Sequence, residues 1–305
     1  MSDPLISIIT PAYKAERFVG ETLASVRAQS FPDWEIVIVE DGSHDGTEDL
    51  VKAFAATVSQ PVIFFRHEKN QGLPATRNTA IARARGEWIA LLDSDDLWTT
   101  DHLEKAVARL RETGADLVHS AVLMFDSDSG RELEVRAPSP AAVADFPRSL
   151  FLSTYIIQPS SVVMRRALCQ QVGGFNPECR YLEDKELWLR LVRAGARIER
   201  VSTTTCHYRQ HAAAMTKNAA AMAEGAAYVY ERNLDWNALP RSLRRERAAD
   251  ARFSAGRILL RSDPRRARAH FAQALRHRPW CVRLLAYFLA ASLLGLTQTG
   301  RRPTP

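Results

Sequence analysis

Residues 86–98 read GEWIALLDSDDLW: an apolar run, Trp88 to Leu92, that breaks into three carboxylates, Asp93, Asp95 and Asp96, with only Ser94 between them. A run apolar on both faces suits a strand covered by helices on either side. Its charged end then lies at the carboxyl edge of the sheet, where open α/β folds bind ligands. Three acids at one strand end are costly unless a ligand or a cation uses them.

Working outward, the first 125 residues alternate short β-rich runs with helical patterns, which predicts βαβ units and a mainly parallel sheet. Strands are expected at 5–9, 35–40, 62–66, 88–93 and 116–124, the first four apolar almost throughout. Helices are expected near 16–29, 45–57, 73–85 and 100–113, with Pro74 in a first turn and Thr99 or Thr100 as a cap. Residues 126–150 lose periodicity and gather Asp, Ser and Pro, the composition of a long surface loop or mobile lid. A strand at 160–166, a helix at 183–195 and a strand at 198–209 close this body.

From about residue 219 the pattern is helical, near 219–234, 240–262, 264–277 and 279–296. Ala267, Phe271, Ala274 and Pro279 have the spacing of a tetratricopeptide second helix, but the preceding helix lacks its partner positions, so no array is expected. The apolar run 284–296 falls short of the roughly 20 residues that a membrane-spanning helix needs. It reads as a buried closing helix or as an interfacial one.

Charge divides the chain. Residues 1–231 hold 25 Lys and Arg against 31 Asp and Glu, and residues 232–305 hold 16 against 4, all 16 being Arg. An acidic body thus carries a basic tail, suited either to a phosphate-bearing partner such as an anionic membrane surface or to a solvated helical face. No recognition motif or interleaved aromatics accompany the arginines, which argues against nucleic acid. Cys169, Cys179, Cys206 and Cys281 have no zinc or disulfide spacing, and the N-terminal MSDPLISIIT has no secretory pattern. A cytoplasmic protein with reduced thiols is expected, and the basic tail leaves room for peripheral contact with the inner face of the membrane.

The edge that collects Asp93 and Asp95 also collects Thr10-Pro11-Ala12-Tyr13, Glu40-Asp41-Gly42-Ser43 and Asn70-Gln71-Gly72. Asp93 and Asp95 can face one hard cation, Mg²⁺ or Mn²⁺, with coordination positions left for substrate phosphates. A local turn accounts for Asp96 but poorly for the other two. Neither GxxxxGK[ST] nor GxGxxG follows a strand, so a P-loop or dinucleotide site is not expected.

Three segments now stand in order: TPAYKAERFVGETLASVRAQSFPDWEIVIVEDGSHDGT (10–47), NQGLPATRNTAIARARGEWIALLDSDDLW (70–98) and YLEDKELWLRL (181–191). Over residues 4–215 the chain resembles the family 2 glycosyltransferases of the GT-A fold. The resemblance implies a Rossmann-like α/β domain over 1–215, a mixed, mainly parallel sheet flanked by helices, with a nucleotide-binding half (1–125) and an acceptor half (126–215). An all-α, Arg-rich appendage over 216–305 would follow it. It also implies inverting, metal-dependent transfer of a sugar from a UDP-sugar to a hydroxyl of a glycan or lipid-linked acceptor, in the synthesis of cell-surface polysaccharide or glycoconjugate.

By the same resemblance, Asp41 reads the uracil ring, with Glu40 a departure from the more usual Asp. Thr10, Pro11 and Tyr13 lie under the base, Asn70 and Arg77 lie near the nucleotide, and Asp93 lies toward the ribose. Asp95 is the metal ligand, Asp93 stands beside it, and His211, in preference to His207, completes the set. Arg209 is expected near phosphate or acceptor.

Inverting displacement needs a base on the face opposite the leaving diphosphate. The resemblance gives that role to Asp184, with Glu183 in support. Taken by itself, an acidic pair at a helix N-terminus can do no more than complement the helix dipole. The alternative for the whole chain is a catalytically silent, glycosyltransferase-like scaffold acting through its helical tail. Retention of Asp41, Asp93, Asp95 and Asp184 together argues against it. A metal-dependent phosphatase is disfavoured because the acids follow the fourth strand, not the first.

Overall fold

The computed structural model describes residues 3–211 and 217–299, with side chains in the last helix described to residue 295. The chain forms two compact units, 1–212 and 213–305.

In the first unit the four apolar runs form β1 (Ile6–Ala12), β2 (Trp34–Glu40), β3 (Val62–Arg66) and β4 (Trp88–Leu91). All four are parallel, with β1 pairing β2 on one side and β4 on the other and β3 pairing β2. The chain order reverses at β1, so the crevice beyond Ala12, Glu40 and Leu91 is a topological switch point. Connecting helices α1 (Val19–Arg27), α2 (Thr47–Ala55) and α3 (Leu73–Arg83) complete the βαβ units, and Pro74 stands in the first turn of α3. β1, β2 and β4 are buried throughout. β3 is half-buried at every position because it is the sheet's edge, which its apolar sequence does not disclose.

Gly86 stands at the head of GEWIALLDSDDLW, where a side chain has no room. A Cβ there would lie 2.6 Å from the Ser7 backbone N and 2.8 Å from the Ile6 carbonyl carbon. Next to it, buried Glu35 accepts hydrogen bonds from Ser7 Oγ (2.6 Å) and from Arg85 N, Nε and Nη2 (2.7, 2.8 and 2.6 Å). The start of β4 is thereby locked against β1 and β2.

Beyond β4 the sheet is mixed, as expected for the whole domain. A two-residue β5 (Leu97–Trp98) precedes α4 (His102–Thr113) and β6 (Leu117–Asp126). The next strands are β7 (Glu132–Arg136), β8 (Val162–Arg165) and β9 (Ile198–Gln210). β8 sits antiparallel between β4 and β6, β9 runs parallel to β6, and β5 pairs antiparallel with β9. Neither threonine caps α4 by a side-chain bond. Asp101 is its N-cap residue, and Thr99 Oγ1 donates to the Asp101 carboxylate at 2.7 Å.

The 126–150 segment is not the expected open loop. β7 folds back as a hairpin on β6, and α5 (Pro140–Ala144) and α6 (Arg148–Phe151) follow. Ser139 Oγ accepts from Ala142 N at 3.1 Å and starts α5. α7 (Arg166–Gln171) and α8 (Glu183–Arg193) complete the unit.

The second unit holds α9 (Ala219–Arg232), α10 (Arg241–Leu259), α11 (Pro264–His277) and α12 (Val282–Thr299). Ala267, Phe271 and Ala274 form the buried face of α11, and Phe271 lies so close to Gly256 of α10 that a Cβ there would stand 2.7 Å from its ring. The repeat-like spacing therefore marks one packed helix hairpin. Several arginines serve the unit itself. Arg252 pairs Glu231, Arg266 pairs Glu224, and Arg245 donates to the Arg276 and His277 carbonyls (2.8 and 3.1 Å) at the end of α11. Among the described residues no helix is long and apolar enough to cross a membrane.

Candidate active site

Four strand ends deliver the site. After β2, the buried Asp41 carboxylate accepts from Gln71 N (2.9 Å) and His67 Nδ1 (2.7 Å) on Oδ1, and from Gly72 N (2.8 Å) on Oδ2. A carboxylate offers about four lone-pair positions. Three are taken, which leaves one without a partner among the described residues. Gly42 makes this packing possible: with φ +76° it passes the Lys69 backbone so closely that a Cβ would stand 2.8 Å from the carbonyl carbon. Exposed Asn70 lies on the loop so held. His67, which sequence reading did not single out, relays the arrangement to Thr79 Oγ1 of α3 at 3.0 Å.

Glu40 is buried and structural. It accepts from Ser43 N at 2.6 Å and from Arg66 Nε at 2.9 Å. At the end of β1, Thr10 and Pro11 are buried and Tyr13 is 48% exposed, so of the three the tyrosine presents a face to a ligand. The Thr10 hydroxyl has no hydrogen-bond partner among the described residues.

The DSDD turn after β4 separates its acids by function. Asp96 is fully buried, accepting from Ser160 Oγ (2.6 Å) and Arg209 N (2.9 Å). Burial, then the neighbouring Asp95 and Asp93, push its carboxyl well above the ordinary range. Asp93 turns Oδ1 toward Arg77 Nη2 at 2.6 Å. Asp95 turns Oδ2 toward His211 Nε2 at 2.9 Å and is one-third exposed. Among the described residues no three His, Cys, Asp or Glu side chains converge as a closed cation cage. The expected trio is instead one facing pair, Asp95 and His211, plus a carboxylate engaged by arginine. An oxygen and an imidazole nitrogen on an open edge fit a Mg²⁺ or Mn²⁺ that draws its other ligands from substrate phosphates and water.

Arg209 does not reach for phosphate. It is 4% exposed, its Nε donates to the Asp95 carbonyl (2.7 Å), and its Nη2 pairs Glu21 (2.7 Å). Its guanidinium lies 4.7 and 4.8 Å from the Phe18 and Phe125 ring centroids. Its work is to hold the DSDD turn in place. His207 lies aside, half-buried and paired edge-on with Phe125.

Arg77 is not a surface residue and has no free charge for a diphosphate. It is fully buried, with Nη1 donating to Glu183 Oε1 and Nη2 to Asp93 Oδ1, both at 2.6 Å. Burial works against its charge, but Asp93 and Glu183 hold its pKa above the usual arginine value. Asn78 beside it exchanges two bonds with the Phe175 backbone, donating to the carbonyl (2.7 Å) and accepting from N–H (2.8 Å). Nothing in the local sequence ATRN signals this role for Asn78.

α8 carries Asp184, the residue expected to be the base, in its first turn. Leu182 enters it in the left-handed region at φ 59°, and Glu183, Asp184 and Glu186 fill the first turn, where acids complement the helix dipole. Buried Leu187, Trp188 and Leu191 press the helix into the body, and Lys185 Nζ donates to the Phe151 carbonyl (2.9 Å) and Ser153 Oγ (2.6 Å). Asp184 is half-buried, and burial raises its carboxyl from the ordinary range while the Lys185 N–H and Arg77 act against that rise. Burial pushes Glu183 up to about 7, with Arg77 opposing. A carboxylate made more basic near neutral pH is suited to accepting a proton.

The family model for glycosyl transferase family 2 matches residues 7–173. The teichuronic acid biosynthesis glycosyltransferase TuaG of Bacillus subtilis, described as putative in its name, is 33% identical over 195 residues, covering 63% of this chain and 73% of that protein. The glucosyltransferase WfgD of Escherichia coli, named for UDP-Glc and an α-D-GlcNAc-diphosphoundecaprenol acceptor, is 31% identical over 129 residues, covering 42% and 50%. Among solved structures, Staphylococcus aureus TarS 1-349 in complex with UDP-GlcNAc superposes with a TM-score of 0.71 at 18% identity, over 98% of this chain and 93% of that one. The Pyrobaculum calidifontis mannosyltransferase PcManGT, with GDP-Man and Mn²⁺, superposes with a TM-score of 0.62 at 20% identity, over 97% and 88%.

Proposed function

This chain belongs to glycosyl transferase family 2, and from that premise we propose that it transfers a sugar from a UDP-sugar to a hydroxyl of a glycan or lipid-linked acceptor, with inversion at the anomeric carbon. The observation that carries the mechanism is the Arg77 bridge. One buried guanidinium touches Asp93 of the DSDD turn and Glu183 at the head of α8, so donor-side and base-side carboxylates share a single fixed neighbour.

In this reading residues 1–125 hold the nucleotide and 126–215 the acceptor. The free lone pair of Asp41 accepts the uracil N–H, Tyr13 stacks on the ring, and Asn70 and Asp93 line the path to the ribose. A Mg²⁺ or Mn²⁺ held by Asp95 and His211 would offset charge on the departing diphosphate. Asp184 takes the acceptor's proton as the acceptor oxygen bonds to the anomeric carbon. In the same displacement the bond from that carbon to the β-phosphate oxygen breaks, and UDP leaves with the electron pair. Glu183, fixed by Arg77, sets the direction in which Asp184 points.

A cytoplasmic enzyme, peripheral on the inner membrane face, matches a nucleotide-activated donor and an acceptor of the class in WfgD's name. The silent-scaffold alternative leaves the Asp95–His211 pair without a purpose. Calorimetric titration with UDP, with and without Mn²⁺, on wild type and Asp41→Ala tests the assignment. Metal-dependent binding that weakens at least ~10-fold in the variant is expected, the scale of one hydrogen bond to a charged group. Wild-type protein that binds no UDP would remove the donor assignment.

A further inference from the structure

α12 is apolar on all sides, yet only one side of it faces the core of its unit. Leu284 and Ala291 are buried, and Tyr287 and Phe288 are half-buried against the cluster of Phe253, Leu259 and Phe271. The other side carries Val282, Leu285, Leu289 and Leu293, which are 80, 49, 53 and 66% exposed. Spacings of three, four and four residues align them on one face, over roughly 16 Å at 1.5 Å per residue. Trp280, 93% exposed, stands just before the first turn. A helix apolar all round belongs in a core or in lipid, and this outer stripe has no core to enter within the described unit.

The surrounding charge identifies the occupant. Residues 264–305 hold eight arginines and no Asp or Glu. Arg268 and Arg283, both exposed, rest on the Phe288 and Phe253 rings at 5.2 and 4.3 Å from the centroids and form no ion pair among the described residues. Arg276 is exposed before Trp280, whereas Arg278 is engaged by Glu246 (3.5 Å) and Asp250 (4.0 Å) of α10. A second copy docked on this stripe would set arginine against arginine. A headgroup layer rich in phosphate accepts the arginines while its acyl boundary takes the leucines, and indole rings favour that same interface.

We propose that the Trp280–Leu293 face of α12 is a monotopic anchor. The Val282, Leu285, Leu289 and Leu293 side chains enter the outer acyl layer of an anionic bilayer, with Trp280 at headgroup level and Arg268, Arg276 and Arg283 on lipid phosphates. An enzyme anchored in this way presupposes the lipid-linked acceptor proposed above, whereas the lipid affinity of α12 is measurable without it.

The test is flotation of the full chain with phosphatidylcholine vesicles, with and without phosphatidylglycerol. Wild type is expected to float with the anionic vesicles. Leu289→Glu/Leu293→Glu should bind them at least ~10-fold more weakly, the loss set by leucine transfer. Arg268→Gln and Arg283→Gln should each cost about fivefold on anionic vesicles. Val135→Glu, at a 58% exposed position in the first unit, should float like wild type. Circular dichroism establishes that each variant is folded, and UDP titration is read in parallel.

Wild type that floats with neither vesicle overturns the anchor, as does undiminished flotation of the double-leucine variant. So does sedimentation in which that variant converts a wild-type dimer to a monomer while neither form binds lipid, which would make the stripe a self-interface. Flotation without UDP binding would sink the donor assignment and leave the anchor standing.

Discussion

Replacing Arg77 with methionine tests the bridge on which the site is built. The guanidinium is 1% exposed and contacts Glu183, whose side chain is 8% exposed, and Asp93, whose side chain is 23% exposed, at 2.6 Å each. Removing one partner of a buried pair costs about 3–5 kcal/mol because a charge is stranded. Asp93 can still find water, so the loss should sit near the lower figure, about 3 kcal/mol. At ~2–4 °C per kcal/mol for a unit of this size, the midpoint should fall by about 6–12 °C.

The fall depends on pH with a defined sign. Burial raises the Glu183 carboxyl above its unfolded value of 4.5, to about 7, so the stability from its neutral form is complete below 4.5 and is lost as pH rises through 7. Without Arg77 the carboxyl rises further. At pH 5 both proteins hold Glu183 protonated, so the gap should be smaller there, and it should widen by about 1.4 kcal/mol at pH 8, one unit above the wild-type Glu183 value. Thermal unfolding at both pH values decides. A gap under about 2 °C at pH 8, or one equal at the two pH values, would refute the assignment of Arg77 as the charge partner of Glu183.

Further outcomes are expected at the other named positions. Asp184→Asn should keep UDP affinity and lose ~10²–10⁴-fold in transfer, the usual contribution of a general base, as read by UDP release; unchanged turnover would assign the base elsewhere. Asp95→Ala should abolish the tightening of UDP binding by Mn²⁺, and His211→Ala should weaken it, in calorimetric titration; full activity of wild type in EDTA would take the metal out of the reaction. Gly86→Ala should cost about 1–3 kcal/mol in chemical denaturation, since its Cβ meets Ser7 and Ile6 backbone atoms that cannot rotate away.

Much of the first unit was legible because burial wrote it into composition. β1, β2 and β4 are apolar at nearly every position, and α1 to α4 lie within two or three residues of their expected bounds. β7, α5 and α6 were not legible. ELEVR is exposed at all five positions and reads as a charged loop, and α5 and α6 are five and four residues long, too short for a helical period. Nor does SSVVMRR announce that it lies antiparallel between β4 and β6, because that placement is decided by edges far apart in sequence.

At the site the same division holds. Asp41 and Asp95 could be found from their strand ends, whereas Ser160, His67, Arg209 and Asn78 act through partners 12 to 113 positions away. An arginine next to a tyrosine near the end of a strand offers no local sign that it will be buried under an aspartate turn.

The ATRN pair, buried Arg77 and half-buried Asn78, gives α3 a role that neither residue suggests alone. Arg77 neutralises Asp93 and Glu183, two acids that would otherwise repel across the site, and Asn78 binds the Phe175 backbone in both directions. Gly174, at φ +67°, leaves room for that contact, since a Cβ there would lie 2.6 Å from Asn78 Oδ1. The segment leading into α8 is thus fastened to α3, and α3 begins at Gly72, whose N–H donates to Asp41. One short helix therefore connects the carboxylate assigned to the base-reading position with the head of the helix that carries Asp184. Because every link is a hydrogen bond of 2.9 Å or less between buried or half-buried groups, a shift at one end has little slack to absorb it. The separation of Asp41 and Asp93 from Asp184 is set by the length and packing of α3.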